Sequence, residues 1–266
     1  RGAVLFRLVV PADHHDVGAR HQAPLAGVDV AVSVFDRIDP ALVLQCHTED
    51  GAIVNPEDTV LDISGSAAAI LTGERTALNF LQQLSGVATL TRTYVDAIAG
   101  TGAQITDTRK TVPGLRELQK HAVRCGGGIS HRSGLHDAVL IKENHVTAAG
   151  SVTEAVRRAR LGAQGSQKPT MRIMCEAEDL DQVRALVAGD PHLAPDRILL
   201  DNMPPELMNQ CVAVVREAAP DVELEATGNI DLSTVRAAAE SGVDVISVGA
   251  LTHSAPALDL SLLFLA

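Results

Sequence analysis

Side chains that could bind a small anion are concentrated in one segment of an acidic chain. The 266 residues carry a net charge of −11. Residues 107–145 nevertheless contain seven basic and four acidic side chains, a net charge of +3, and four of the ten histidines. The chain has only four lysines, and three of them lie in this segment. A basic, histidine-rich segment in an acidic protein indicates a binding site for small anions.

Two motifs in this segment place cations directly beside loops. Arg109 and Lys110 follow an apolar run, and they could bind a carboxylate or phosphate, arginine through its planar fork and lysine as a point charge. His131 and Arg132 follow the glycines of 126–128, which would let the backbone approach a ligand closely. The alternatives are a solvated loop at the first motif and a flexible turn at the second.

Lys142 follows the apolar run that ends at Ile141. At the end of a barrel strand, such a lysine would point into the mouth of the barrel. Three readings stay open: a Schiff-base nucleophile, an anion ligand, or a lysine in a structural salt bridge.

Glu176 and Asp201 each end an apolar run, in successive predicted strands. If these strands are neighbours, the two carboxylates lie close together. They could coordinate Mg²⁺ directly or through water, or bind sugar hydroxyls. Charge balance for the nearby cations is the alternative and is compatible with both.

Two glycine-containing loops near the C-terminus could bind phosphate. Thr227, Gly228 and Asn229 precede a helix predicted to begin at Leu232, so free backbone N–H groups and a helix N-terminus would face the ligand. Gly249 and Ala250 follow the next strand and could complete the site. Tandem phosphate loops late in a barrel are a known arrangement.

The elements that must position these residues alternate between strand and helix. Predicted strands lie at 103–106, 138–141, 171–175, 197–200, 222–226 and 243–248, with a weaker candidate at 128–130. Predicted helices lie at 115–124, 152–161, 180–188, 205–218 and 232–241. Repeated βα units imply parallel strands. Because polar residues follow almost every strand, a barrel of six or seven strands is favoured over a doubly wound sheet with a single switch point.

The region before residue 103 has a different pattern. Apolar runs at 4–10, 28–35 and 42–47 predict strands or short helices, and the periodicity of 76–99 predicts a helix interrupted at Ser85 and Gly86. We therefore expect an N-terminal α/β domain over 1–102 and a barrel over 103–252, with 253–266 packing on the N-terminal domain.

Composition excludes several classes of function. The acidic charge and 2 % aromatic content argue against nucleic-acid binding. No apolar run approaches the length of a membrane span, and the first ten residues are too short and broken for a signal peptide. The four dispersed cysteines predict free thiols in a reducing cytoplasm rather than disulfides or zinc ligands.

The motifs together resemble those of the quinolinate phosphoribosyltransferases, a type II phosphoribosyltransferase family. The resemblance extends over nearly the whole chain from about residue 26. It rests on segments 72–80, 84–89, 106–114, 126–135, 140–145, 199–202 and 247–252, and the Asp-Thr-Arg-Lys-Thr, Gly-Gly-Gly and His-Arg series is its most specific part. It implies an α/β sandwich followed by an incomplete α/β barrel. The implied reaction joins quinolinate to 5-phosphoribosyl 1-diphosphate with loss of CO₂, giving nicotinate mononucleotide for NAD synthesis.

The resemblance also implies roles for individual residues and a partner. Lys110, Glu176 and Asp201 would be catalytic, and the two carboxylates would face ribose and Mg²⁺, directly or through water. The family's active site lies between the subunits of a homodimer, with a hexamer as the alternative assembly. Substrate binding is implied for Arg75, which is donated across that interface, and for Arg109, Lys110, His131, Arg132, Lys142, Glu176, Asp201, Thr227, Gly228, Asn229, Gly249, Ala250 and His253.

Several positions depart from the family's usual residues. Ser130, Glu143 and Thr227 replace asparagine, aspartate and serine, and His21 and Gln22 replace a charged pair. Met174 stands where one carboxylate of a Glu-x-Glu pair is usual. Three other functions therefore stay open: a related transferase acting on another base, as in the molybdenum-transport-associated homologue, a Schiff-base aldolase, and a binding protein without catalysis.

Overall fold

The computed structural model describes residues 3–11, 22–164 and 171–265. His21, one of the departures above, lies outside these residues. The strands are β1 (Val4–Val9), β2 (Ala23–Pro24), β3 (Val43–Cys46), β4 (Ile53–Val54), β5 (Thr59–Gly65), β6 (Gln104–Thr106), β7 (Ala138–Ile141), β8 (Arg172–Ala177), β9 (Arg197–Asp201), β10 (Glu223–Thr227), β11 (Val245–Ser247) and β12 (Ser261–Leu265). The helices are α1 (Val28–Ile38), α2 (Ala67–Ala97), α3 (Arg116–Cys125), α4 (Glu143–Ala149), α5 (Val152–Gln164), α6 (Leu180–Val187), α7 (Pro205–Ala218), α8 (Val235–Glu240) and α9 (Ala250–His253), and a 3₁₀ turn lies at Pro191–Leu193.

The contacts divide the chain into two compact units that interleave in sequence. The first contains 1–95, 110–129 and 250–266, and the second contains 96–109 and 130–249. This grouping differs from the expected domains 1–102 and 103–252 in where 96–102, 110–129 and 250–252 belong. The domain boundaries themselves stay a prediction.

The first unit is built on an antiparallel sheet in the order β12-β1-β5-β3 and a small β2-β4 pair. Strand β12 pairs with β1 from Leu5 opposite Leu265 to Val9 opposite Ser261. Residues 28–35, for which strand and helix were both open, form α1. Its buried residues Val28, Ala31 and Phe35 recur at helical spacing and join the apolar core of this unit.

Helix α2 continues through Ser85 and Gly86, so the predicted interruption there is wrong. The Ser85 hydroxyl accepts a hydrogen bond from the backbone N–H of Ala26 at 3.1 Å and lies within donating distance of the Ala26 carbonyl oxygen, at 3.2 Å. An added Cβ at Gly86 would overlap the carbonyl group of Pro256. These two residues are small because other segments cross the helix there.

The second unit is a parallel sheet in the order β6-β11-β10-β9-β8-β7, with helices between successive strands. The six main predicted strands are confirmed, as is the α/β class, while residues 128–130 contain only an isolated bridge at Ile129. The sheet is open at β6 and β7. Its central strand β9 is buried over four of its five residues, as expected for a parallel strand covered on both faces.

Among the described residues, no helix combines the length and the apolar character required to cross a bilayer.

The close approach at Gly86 predicts a stability effect. Gly86→Ala should destabilise the protein by about 2 kcal/mol, because the methyl group would force the backbone at Pro256 away from the helix. Gly162→Ala is the matched control: Gly162 lies in α5, nothing approaches its added Cβ within 4 Å, and helix propensity should stabilise the variant by up to ~1 kcal/mol. Urea unfolding of both variants measures the difference, and equal midpoints would contradict the proposed packing.

Candidate active site

The carboxyl edge of the parallel sheet borders a cavity with mixed charge. The cavity has a volume of about 460 Å³ and is lined by Lys142, Glu143, Asn144, Val146, Thr147, Glu176, Glu178, Gln182 and Asp201. Lys142 follows β7, Glu176 is near the end of β8, and Asp201 ends β9. These strands are neighbours, which is why side chains distant in sequence meet in one cavity.

Lys142 and Glu176 form an ion pair at this cavity through Nζ and Oε1. The Lys142 side chain is about half exposed, whereas that of Glu176 is 15 % exposed. The backbone N–H of Lys142 donates to Nδ1 of His145 at 3.0 Å, which fixes the start of α4. The pairing places a cation and a carboxylate at the same cavity, with the cation the more exposed of the two.

Two arginines beside this edge are close enough for the charge of one to act on the other. Burial is the main effect that lowers the pKa of Arg132, and the charge of Arg109 lowers it further, against opposing effects of Asp137 and Glu176. The guanidinium of Arg132 is held by a hydrogen bond from Nη1 to the carbonyl oxygen of Ala138, 3.1 Å away. Repulsion between the two guanidinium charges favours the binding of an anion near them.

The loop that carries His131 and Arg132 is fixed by a buried aspartate. The backbone N–H of His131 donates to Oδ1 of Asp107 at 2.9 Å. The backbone N–H of Arg132 donates to Nδ1 of His131, also at 2.9 Å. Since Nδ1 accepts, this arrangement requires the tautomer with its proton on Nε2, which lies 3.3 Å from Oε2 of Glu225. Both ring nitrogens of His131 therefore have protein partners.

Glu225 is the centre of a buried charge cluster. It is 1 % exposed, and Arg197 approaches it with Nη1 at 2.6 Å from Oε2. Arg197 also contacts Glu223, which pairs with Arg172. Burial alone would raise the pKa of Glu225, but its contacts with His131 and Arg197 outweigh burial and lower it. Its other oxygen, Oε1, accepts no hydrogen bond from the described residues.

Met174, at the position where the resemblance implies a carboxylate, lies inside the sheet. It packs with Ala138, Leu199 and Leu140, and it also lines a cavity of about 200 Å³ together with His131, Arg132, Arg172 and Arg197. A thioether here is compatible with the apolar neighbours, and Glu223 and Glu225 supply the negative charge for Arg197.

The predicted phosphate loop is a compact turn at the ends of β9 and β10. Asp201 and Thr227 are register partners, and the N–H of Asn202 donates to the carbonyl of Thr227 at 2.9 Å. Nδ2 of Asn229 donates to Oδ1 of Asn202 at 2.9 Å. Gly228 has a φ of 88°, and an added Cβ there would overlap the Asn202 amide.

The loop also reaches the neighbouring strand. Ser247, in β11, donates from Oγ to Oγ1 of Thr227 at 2.9 Å. Asn202 and Asn229 adopt left-handed φ values of 54° and 50°, conformations that non-glycine residues keep only where the surroundings enforce them.

The helix after this loop begins later than predicted. It starts at Val235 instead of Leu232, because the Asp231 carboxylate accepts the backbone N–H groups of Ser233 and Thr234 and forms a turn. Those two N–H groups are therefore already used. A phosphate in this region would therefore contact the backbone and side chains of 227–229 rather than a helix N-terminus.

Four predicted site residues belong to the first unit. Arg75 is exposed on α2 and forms no ion pair with another described residue. Lys110 is exposed, and its carbonyl accepts a hydrogen bond from Thr252 at 2.9 Å. Ala250 and His253 begin and end α9, and Nδ1 of His253 lies 2.6 Å from the Ser254 hydroxyl. The glycine at 126, expected to approach a ligand, lies against the backbone of Ala88 in α2.

Sequence reasoning did not select Asp107, Asn202, Glu225 or Ser247 as site residues. Each holds a predicted site residue in place. Asp107, Asn202 and Ser247 lie at or near strand ends, and this position could have identified them from the sequence. Glu225 lies in mid-strand, where a buried charge has no local signature.

Comparison with known protein families gives two matches that together extend over most of the chain. Residues 12–85 match the model of the N-terminal domain of quinolinate phosphoribosyl transferase. Residues 87–263 match the model of the C-terminal domain.

Individual relatives agree with these matches. The nicotinate-nucleotide pyrophosphorylase [carboxylating] of Mycobacterium leprae is 46 % identical over 248 residues, which is 91 % of this chain and 83 % of the relative. A probable enzyme of the same name from Synechocystis is 41 % identical, over 92 % and 80 %. The solved nicotinate-nucleotide pyrophosphorylase of Francisella tularensis superposes with a TM-score of 0.88 at 36 % identity, over 99 % of this chain and 86 % of that one.

The buried cluster around Glu225 predicts a large stability effect. Glu225→Ala should lower the free energy of unfolding by about 3 kcal/mol, because Arg197 would lose its closest buried partner. Since the folded state lowers the pKa of Glu225, its contribution is present above the ordinary pKa and is lost as the pH falls through the lower folded value. The variant should therefore lose less stability than the wild type between neutral and acidic pH.

Glu240→Ala is the control, because Glu240 pairs with Arg236 on the exposed face of α8. It should change stability by less than about 1 kcal/mol. Urea unfolding at several pH values measures both variants, and a Glu225→Ala effect as small as the control would contradict the role given to the cluster.

Proposed function

The chain belongs to the quinolinate phosphoribosyltransferase family, and from this we propose that it transfers the phosphoribosyl group of 5-phosphoribosyl 1-diphosphate to quinolinate. The acceptor loses CO₂, and the products are nicotinate mononucleotide and diphosphate. The chain is thus a pentosyltransferase of the carboxylating nicotinate-nucleotide pyrophosphorylase type, acting in NAD biosynthesis. The observation that carries the proposal is the pair Arg109 and Arg132 beside an edge that also presents Glu176 and Asp201.

Quinolinate has two carboxylates, so its site must supply several fixed cations. Arg109 and Arg132 are the candidates at the carboxyl edge of the sheet, with Lys142 on the neighbouring strand end. Arginine matches a carboxylate through two parallel hydrogen bonds. Such binding fixes the plane of the pyridine ring and with it the direction of the ring nitrogen. The roles predicted for Lys110, Ala250 and His253 stay predictions.

The phosphoribosyl group needs a phosphate site and partners for its hydroxyls. Thr227, Gly228 and Asn229, with Gly249 after β11, are proposed to hold the 5-phosphate. Glu176 and Asp201 are proposed to accept hydrogen bonds from the ribose hydroxyls. The Cβ-free backbone of Gly228 and the bonded asparagine pair keep this turn rigid, which favours positioning.

The carboxylate pair also fits a magnesium ion. Mg²⁺ takes oxygen ligands, keeps several waters and is usually bound by one or two carboxylates plus substrate phosphates. Glu176 and Asp201 line the same cavity and supply such oxygens. When bound, the ion would neutralise charge on the diphosphate leaving group.

The chemistry then follows from positioning and charge. The quinolinate nitrogen attacks C1 of the ribose as the C1–O bond breaks, and the bonding pair leaves with diphosphate. Positive charge develops at C1, where the carboxylates of Glu176 and Asp201 stabilise it. The resulting pyridinium accepts the electron pair released when the C2 carboxylate departs as CO₂, and a proton takes its place.

A purified-enzyme assay separates this proposal from its rivals. With phosphoribosyl diphosphate, Mg²⁺ and quinolinate labelled in its 2-carboxylate, we expect labelled CO₂ and nicotinate mononucleotide in equal amounts. Nicotinate in place of quinolinate should give no product. Product from nicotinate would favour a transferase for another base, and phosphoribosyl diphosphate binding without diphosphate release would favour a binding protein. Trapping of a carbonyl substrate on Lys142 by borohydride would favour the aldolase.

We further propose a homodimer, in the cytoplasm, in which Arg75 of one subunit serves the site of its partner. Arg75→Ala and Arg109→Ala should each lower kcat/KM by at least about 10²-fold, the loss expected for a group that binds the reacting substrate. Co-expression of the two variants should restore ~25 % of wild-type activity, because half of the dimers are mixed and each holds one intact site.

The matched control combines Arg109→Ala with Arg132→Ala. Both residues belong to the second unit, so no mixed dimer contains an intact site and activity should stay low. Restoration by the control pair, or none by the first pair, would contradict a shared site.

A further inference from the structure

Three metal-ligating side chains of different chemical types meet in the first unit. Nε2 of His121 lies 2.7 Å from Oδ2 of Asp50 and 3.4 Å from Sγ of Cys125. One ligand atom from each residue lies within 4.8 Å of the other two. None of the three is among the residues assigned to phosphoribosyl transfer.

The local structure explains why these side chains converge. His121 and Cys125 are four residues apart in α3 and therefore share one face of the helix. Asp50 belongs to a turn that reaches the end of this helix, since a Cβ added at Gly51 would lie 4.0 Å from Cα of Cys125. Oδ1 of Asp50 accepts the backbone N–H of Val28 at 2.7 Å. With Oδ1 bonded in this way, Oδ2 is directed at His121. Hydrogen bonds of this kind orient carboxylates that bind metal ions in other proteins.

The geometry excludes one familiar use of these three residue types. In a nucleophilic relay, the thiol and the carboxylate contact opposite nitrogens of the histidine. Here both contact Nε2. Because the thiol and the carboxylate both approach Nε2, the three side chains are instead arranged as ligands around one point.

We propose that Asp50, His121 and Cys125 form a binding site for a divalent transition-metal ion of the zinc type. Tetrahedral zinc bound to sulfur at ~2.3 Å and nitrogen at ~2.0 Å separates these two ligands by about 3.5 Å, close to the distance between Sγ and Nε2. The Nε2–Oδ2 distance must lengthen by roughly 0.6 Å when the ion takes the place of the hydrogen between these atoms, and His121 then binds as the tautomer with its proton on Nδ1. The His121 side chain, 42 % exposed, is able to make that adjustment.

The ligand set determines which ions are accepted. A thiolate with an imidazole selects zinc-like ions over Mg²⁺, which prefers oxygen. Three protein ligands leave a fourth position for water. Burial, and then the charge of Asp50, raise the pKa of the Cys125 thiol to about 11, while Arg124 opposes them. The thiol therefore keeps its proton at neutral pH until the metal displaces it, and one proton is released to solvent for each ion bound.

Cobalt(II) titration of the metal-stripped full-length protein tests the site. One equivalent should give the near-ultraviolet thiolate-to-cobalt absorption band, and Zn²⁺ should abolish it by displacement. Cys125→Ser should remove the band, and His121→Gln should weaken cobalt binding at least about tenfold. Cys46→Ser is the matched control, because Cys46 is an exposed thiol outside the cluster, and it should keep the band.

Thermal unfolding provides a second measurement on the same proteins. Zn²⁺ should raise Tm for the wild type and for Cys46→Ser but much less for His121→Gln, because binding to the folded state alone stabilises it. His121→Gln also keeps the test decisive if Cys125→Ser fails to fold. Absence of the band in the wild type, a band that survives in Cys125→Ser, or an unchanged cobalt affinity in His121→Gln would overturn the proposal.

Discussion

In a parallel sheet, the loops that follow the strands all lie at the same edge of the sheet. In the second unit, six strands obey this constraint, so the residues after β6 to β11 emerge together although they are spread over about 140 positions. Arg109, Lys142, Glu176, Asp201 and Thr227 owe their common location to it. The chemistry of the proposed transferase, which depends on positioning more than on a nucleophile, is thus a consequence of strand direction.

A second constraint acts inside the sheet, where a carboxylate is buried among hydrophobic strands. Glu225 is tolerated there because Arg197 balances its charge and Nε2–H of His131 donates a hydrogen bond to it. The same contacts restrict the ring of His131, whose Nδ1 accepts the N–H of Arg132. The buried cluster thereby fixes the backbone position of Arg132, which we propose to bind quinolinate. Asp107 adds to this by holding the backbone of the same loop.

The pattern of apolar runs predicted the six parallel strands and most helices, because the 3.6-residue and strand periodicities are local properties of the chain. It failed where a distant partner decides the outcome. Ser85 and Gly86 are typical helix-breaking residues, yet α2 continues, since small side chains there accommodate Ala26 and Pro256. Similarly, Asp231 competes for the first N–H groups of a helix and delays its start.

By itself the sequence determined the α/β class, the order of the strands along the chain and the identity of the residues that we propose to bind anions, because these depend on residue type and spacing. Only the tertiary structure decided what those residues contact. It paired Lys142 with Glu176, gave both nitrogens of His131 protein partners and recruited Asn202 and Ser247 to the predicted phosphate turn. It also brought Asp50 to His121 across 71 positions of sequence. Such contacts join segments with no fixed spacing, so no local pattern encodes them.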